Sequence, residues 1–437
     1  MPTLPNLRLR RLALLGILLG GALQGGCRQP DADGAVLRMA TTQMGERMRE
    51  PFQSALREFE TRHPGVRVEL IEQDDDVYQK MGLVTMFVGG APPDLYFQWG
   101  GYQVRKWAAA GYALDLTEQF PPQEQARYLP SSWASTRGWD DRIYLWPNTA
   151  SLTTVFWHRR SLQKRLGFAA PQTWDEFLAL CDRLRVAGIT PLAVGNRELW
   201  AGGNFAAYLV AQQVGVRQYN RVLNLEAGTR LDDPGFVAAL ERVAELHRLG
   251  YLNQGVSGVG TDEARALLLQ GRAALHPIGD WLVTDADEAD AADLDAFLLP
   301  RLPGQAGSAR TLLALKTGYM IYRRTRYPRE AIALLRHLSS DGVQQAWVRH
   351  GHVSALRAAG PGRETPVGQR RMTEFLATAE ETALAPDVGF HLEVSDAFLD
   401  AVSVVLGGRA TPQVALERAE RQVAALRPRL AARSYPQ

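Results

Sequence analysis

The sequence predicts an α/β fold, and three observations predict it. Runs with strand periodicity alternate with helical ones from about residue 36, capping signals open several helices, and the composition is that of an ordinary globular chain. At 437 residues, 46% hydrophobic and 22% charged, the chain has room for two or three domains of about 150 residues each.

Val36 to Ala40 reads as the first strand, and Thr41-Thr42-Gln43-Met44-Gly45 leads from it into a helix. In that helix Phe52, Ala55, Leu56 and Phe59 follow the i, i+3, i+4, i+7 spacing of one buried face, and Pro64-Gly65 stops it. Val66, Val68 and Leu70 then alternate with Arg67 and Glu69, the period-2 pattern of a half-buried strand. A second helix, about Tyr78 to Val88, ends at Gly89-Gly90-Ala91-Pro92-Pro93 before a short strand, Asp94 to Phe97. Strand, helix, strand, helix, strand is the order that builds a parallel sheet. A second region opens near Asn148. It carries a sharp helix start at Pro171 to Phe177, where Thr173 and Glu176 have capping-box spacing, and further starts at Asp233-Pro234 and Thr411-Pro412. The C-terminal third is mainly helical, and Pro300 to Ser308 reads as a loop. Trp174 and Trp347 fall in helical apolar patterns and belong to the core, and Cys181, beside Phe177, Leu178 and Leu184, reads as a buried inert thiol.

The N-terminus has the layout of an export signal: Arg8, Arg10 and Arg11 precede an apolar run, Leu12 to Leu23, too short to span a bilayer comfortably. It closes on Leu23-Gln24-Gly25-Gly26-Cys27, which resembles a bacterial lipobox, so residues 1–26 are expected to be removed and Cys27 to carry lipid. Residues 27–34 then form a polar linker. With Cys27 acylated, Cys181 has no partner for a disulfide. The net charge of +2 falls to −1 once the three arginines leave, which offers nucleic acid no general attraction.

Beyond these patterns, several blocks stand in a fixed order: Gly90-Ala91-Pro92-Pro93-Asp94-Leu95-Tyr96, Ala110-Gly111-Tyr112-Ala113-Leu114-Asp115-Leu116-Thr117, Pro171 to Phe177, Ala187-Gly188-Ile189-Thr190-Pro191-Leu192, Gly271-Arg272-Ala273-Ala274-Leu275 and Gly279-Asp280-Trp281. Together they resemble the sugar-type extracellular solute-binding proteins of ABC importers. The resemblance implies the periplasmic-binding-protein type II fold, two α/β lobes with a ligand cleft between them. Lobe one is then expected over 35–147 with a return at about 300–340, and lobe two over 148–299 with about 341–437. It also implies a sugar ligand, ABC permease subunits as partners, a periplasmic or cell-surface location on a lipid anchor, and a monomer without cofactor or bound metal. The chain departs from the family at Val155-Phe156-Trp157-His158, where an aromatic-Tyr-Asn run is usual, and at Ser354, where a proline commonly precedes the small residue.

Sugars present C–H faces that pack on aromatic rings and hydroxyls that both donate and accept hydrogen bonds. Loops beyond strand ends face the cleft in such lobes, which nominates Gln43, Glu46, Asp75, Gln98 and Trp99. Asn148 is nominated by its place near the crossover, Trp200 and Asn204 by a polar-aromatic stretch around Gly202-Gly203, and His352 by its position after a helix. The resemblance adds Asp280 and Trp281, because the family's Gly-x-Trp loop reaches the ligand, and Asp280 is the leading candidate.

No catalytic residue is nominated. Gly255-Val256-Ser257-Gly258 lacks the glycine that a serine nucleophile elbow needs at Val259, and neither a Walker loop nor a paired-His zinc helix occurs. Three other readings stand beside the importer receptor. One is a secreted glycosidase using two cleft carboxylates, another a receptor subunit of a sensor system. The third is a glycerol-phosphate ligand held by Arg47 or Arg197.

Overall fold

A computed structural model describes residues 34–431. The export segment and Cys27 lie outside the described residues. Among the described residues the strands are β1 (Ala35–Thr42), β2 (Val66–Gln73), β3 (Leu95–Trp99), β4 (Trp146–Leu152), β5 (Val155–Arg159), β6 (Thr190–Leu192), β7 (Ala273–Ile278), β8 (Leu294–Phe297), β9 (Thr311–Ile321) and β10 (Glu381–Ala383). They form two sheets. The first runs β10-β9-β3-β1-β2 with β4 also on β9, and the second runs β6-β7-β5-β8.

The strand–helix alternation does produce a parallel core, β2-β1-β3. To this core β9 returns from far along the chain, pairing antiparallel with β3 and β4. Period-2 patterning sorts the first sheet's side chains. Leu37 and Met39 join Phe52, Phe59, Leu334 and Trp347 in one core, while Ala40 and Tyr96 join Tyr78, Val104 and Trp107 in another. Helix Glu46–Arg62 buries the four residues its spacing selects, Phe52, Ala55, Leu56 and Phe59. Helix Asp341–Val348, capped by Ser340, also packs on the first sheet's core through Val343 and Trp347, although the sequence reading groups it with the second sheet.

Around the second sheet the capping signals hold. Thr173 Oγ1 accepts from the Glu176 amide at 3.2 Å and opens helix Trp174–Val186. Glu176 reaches back to the Gln172 amide at 2.7 Å, one residue before the position that a capping box uses. Asp233 and Thr411 cap helices Pro234–Arg248 and Pro412–Val423, each with proline in the first turn. Helix Trp200–Val214 is buried almost all round, as a central helix must be. Trp174 and Trp347 are core residues, and Cys181 is buried, which pushes its thiol pKa up and leaves it inert.

Two strands carry the chain from one sheet to the other. β9 is buried along its whole length, pairing with β3 and β4 at one end and β10 at the other. β4 ends where the Leu152 carbonyl accepts from the Asp280 amide at 3.0 Å, directly after β7 of the second sheet.

Candidate ligand-binding cleft

A cavity of about 750 Å³ lies where residues from both sheets converge. From the first sheet come the segments that follow β1 and β2, with Gln43, Glu46 and Asp75, and the last residue of β3, Trp99. These are carboxyl ends of parallel strands, where side chains are free of the sheet's own packing. The second sheet contributes Glu198, Trp200 and Asn204 after β6, His276 and Ile278 on β7, and Trp281 and Asp285 just beyond it. Asp387 completes the wall.

Local geometry explains how the rings are held. A Cβ on Gly279 would lie 2.0 Å from the Trp281 ring, so only glycine lets that ring fold back over the chain. Trp281 and Trp200 meet at 5.8 Å between centroids, tilted by 56°. Trp200 opens its helix directly after Leu199, whose φ of 71° is a left-handed conformation that costs a leucine about 1–3 kcal/mol. Strain of this kind collects where a side chain must be aimed. Trp99 is braced edge-on by Phe97 at 5.1 Å and Tyr78 at 6.1 Å.

Of the residues nominated from sequence, Gln43, Glu46, Asp75, Trp99, Trp200, Asn204 and Trp281 line this cavity, and Gln98, Asn148, Asp280 and His352 do not. Gln98 is buried within β3 opposite Gly318 of β9. Asn148 accepts from Gln344 Nε2 at 2.8 Å through its side chain. His352 is buried, and its Nε2 lies 3.2 Å from the Asn148 carbonyl oxygen and 3.1 Å from Gln344 Oε1, contacts that place the ring proton on Nε2. Both side chains therefore spend their hydrogen bonds on Gln344 and on the Asn148 carbonyl, where residues 352–356 pair with β4 through their backbone. Asp280 is the largest correction. Its Oδ1 accepts from the Ser151 hydroxyl at 2.6 Å and its Oδ2 from the Leu152 amide at 2.9 Å, so the carboxylate fastens β4 to the end of β7. Burial pushes its pKa up to about 6, and the buried Lys316 on β9 feels it as countercharge while burial lowers the lysine to about 8.

Sequence reasoning missed His276, Arg265, Asp285 and Asp387. Asp285 could have been found as the next carboxylate after the Gly279-Asp280-Trp281 block. Asp387 had no local signal, since it reaches the cavity by tertiary packing alone. His276 Nδ1 lies 2.7 Å from the Ala193 carbonyl oxygen, an acceptor, so Nε2 is the bare acceptor, and burial lowers the ring pKa to about 4.

The cavity is strongly acidic. Eight lining residues are Asp or Glu and three are Arg. Each arginine is already engaged: Arg49 with Glu72 at 3.3 Å, Arg197 with Glu198 at 2.9 Å and Glu263 at 2.8 Å, and Arg265 with Asp262 at 3.0 Å and Asp285 at 3.2 Å. Asp75 is exposed to the water of the cleft, with protein packed closely round its carboxylate. Desolvation, then the Asp285 and Asp74 charges, push its pKa to about 7 against a Thr42 hydrogen bond. Desolvation also raises Asp285 to about 6 and Asp387 to about 7.

A folded pKa above the unfolded value of about 3.9 means that the native state holds the proton more tightly, so stability is lost as pH rises from about 4 through about 7. The empty Asp75→Asn protein should therefore melt a few degrees above wild type at pH 8, with the gap closing near pH 4. Cleft water screens the charges and keeps the shift small. Equal melting temperatures at pH 8 would show that Asp75 is not crowded by its neighbours.

The profile of the bacterial extracellular solute-binding protein family matches residues 41–345. A multiple sugar-binding protein of Streptococcus mutans is 21% identical over 355 residues, 77% of this chain and 80% of its own. An uncharacterized ABC transporter extracellular-binding protein of Pyrococcus horikoshii is 24% identical over 237 residues, and a probable sugar-binding periplasmic protein of Mesorhizobium japonicum 26% over 208 residues. The chain spans about half the length of these last two, 53% and 49%. Among solved structures, a chitin oligosaccharide binding protein superposes with a TM-score of 0.81 at 20% identity, covering 91% of this chain and all of its own. A maltose-bound protein of T. maritima superposes with a TM-score of 0.76 at 21% identity, covering 90% and 100%. Both share the two-sheet α/β fold of maltose-binding-type receptors.

Proposed function

The chain belongs to the bacterial extracellular solute-binding protein family, and from that premise we propose that it is the receptor of an ABC importer, capturing a sugar or oligosaccharide outside the cytoplasmic membrane and delivering it to the permease. The observation that carries this reading is the single cavity wall built by two sheets, with Trp99, Trp200 and Trp281 as ring platforms among carboxylates and amides. Its volume falls in the range of small-molecule clefts, about 300–1,000 Å³. Relatives named for sugar binding support the same ligand class.

β1 to β3 with the return of β9 and helix Asp341–Val348 make one lobe, and β5 to β8 with the helices packed on them the other, so β4 and β9 are the hinge. Binding closes the cleft because contacts to both walls exist only in the closed state. The ligand leaves unaltered, as a receptor requires. No helix among the described residues is long and apolar enough to cross a membrane. A monomer tethered through lipid on Cys27 fits a receptor that works beside its permease, and Cys27→Ser should release it from the membrane fraction. The glycerol-phosphate alternative loses support, because Arg197 is doubly paired, Arg47 lies off the cavity, and the carboxylates repel phosphate.

A thermal-shift screen over mono-, di- and oligosaccharides tests the receptor reading. A ligand at a hundred times its dissociation constant adds about 2.7 kcal/mol, enough to move the melting point by several degrees. Incubation with the stabilising sugar should yield no shorter products. Enzyme-dependent cleavage would replace the receptor by the glycosidase reading.

A further inference from the structure

The cavity holds far more acceptor than donor capacity, and like charges face one another across it. The charge of Asp285, on the second sheet's side, disfavours ionisation of Asp75 on the first's, and Asp76 acts on Asp387 in the same way. The wall opposite Asp285 is close: a Cβ on Gly45 would lie 2.5 Å from Asp285 Oδ1. Closure around a neutral solute would press these carboxylates together in a drying site, where their repulsion grows.

A second, independent observation points the same way. His276 and Asn204 are almost wholly buried, both line the cavity, and His276 Nε2 and Asn204 Oδ1 have no hydrogen-bond partner. Both free atoms are acceptors. Leaving a buried acceptor unmet costs about 1–3 kcal/mol, so the ligand that completes the site must bring donors. The arginines do not supply them, since each is already held by a carboxylate. Nor do the lining acids gather into a group of three that could hold a metal ion among the described residues.

We propose that the solute is an amino sugar, or an oligomer of one, whose protonated amine sits between Asp75 and Asp285 while hydroxyls donate to His276 Nε2 and Asn204 Oδ1. A protonated amine offers up to three N–H donors and one positive charge, which satisfies carboxylates on both walls at once and converts their repulsion into a reason to close. The sugar ring lies on Trp200 and Trp281. The inference rests on the sugar-receptor reading and adds the charge of the ligand to it.

Titration calorimetry on the full chain with matched pairs tests it: glucosamine, galactosamine, mannosamine and short glucosamine oligomers, each against its N-acetylated counterpart, with putrescine as an amine without a sugar. At least one amine-bearing saccharide should bind ten-fold or more tighter than its acetylated partner, and Asp75→Asn should cut that preference to under three-fold. Asp75→Asn keeps the fold, as its melting temperature will report, and Asp285→Asn gives the same readout from the opposite wall. If the acetylated compounds bind as tightly as the amines, or if no amine binds, the charge assignment is overturned, and neutral-sugar binding then leaves the receptor reading standing. If putrescine binds as tightly as any saccharide, the cation site stands and the sugar reading falls.

Discussion

Replacing Asp280 by Ala is expected to cost about 3–5 kcal/mol of stability, a large part of the 5–15 kcal/mol typical of folded proteins. The side chain is only 4% exposed and accepts two hydrogen bonds, from the Ser151 hydroxyl and the Leu152 amide, which lie on β4. Alanine would leave both donors buried and unmet, and would remove the carboxylate whose charge Lys316 feels in the same interior. Asp280→Asn keeps the shape and can still accept from Leu152 while donating to Ser151, so it should cost less than half as much. Both variants lose the charge felt by Lys316, so the cost of Asp280→Asn reports that charge and the further cost of Asp280→Ala reports the two hydrogen bonds and the packing. Urea denaturation of wild type and both variants gives the comparison. An Asp280→Ala protein with an unchanged midpoint and lost ligand binding would return Asp280 to the cleft.

Removal of the tryptophan pair should have the largest effect on binding. Trp200 and Trp281 touch each other, line the cavity and rest on the second sheet's core, so truncation withdraws ring area from the cleft. Each single Ala variant should lose about 1.5–3 kcal/mol of binding, roughly 10- to 150-fold in Kd, from the apolar area and ring contact withdrawn from the ligand. The double variant should lose less than the product of the two, because each ring braces the other. Trp99→Ala, on the opposite wall, tests whether both walls are used: its loss should be accompanied by a smaller fall in radius of gyration on ligand addition. Calorimetry and small-angle scattering read the two effects, and wild-type affinity in all three variants would place the ligand elsewhere.

What the sequence determined by itself was whatever depends on neighbours along the chain. The period-2 runs became β1 and β2, the i, i+3, i+4 spacing chose the buried face of helix Glu46–Arg62, and Thr173, Asp233 and Thr411 capped the helices they precede, because capping and amphipathic patterning are local physics. Residues just past strand ends, such as Gln43, Asp75 and Trp281, were findable for the same reason: a strand end fixes where the next few side chains go. The sequence could not tell Asp280 from Trp281, adjacent in one loop, since which of them faces water depends on β4 arriving with Ser151 and Leu152, about 130 residues earlier, to satisfy the carboxylate. Patterning along the chain could not show that β9 pairs antiparallel with β3, which joins residues more than 200 apart, or bring Asp387 to the cavity wall. Nor could it show Asn148, Gln344 and His352 consuming one another's hydrogen bonds inside the protein. Only the folded chain decides which polar groups find partners within it and which are left for a ligand, because a buried donor or acceptor is satisfied by whatever the tertiary structure brings within about 3 Å.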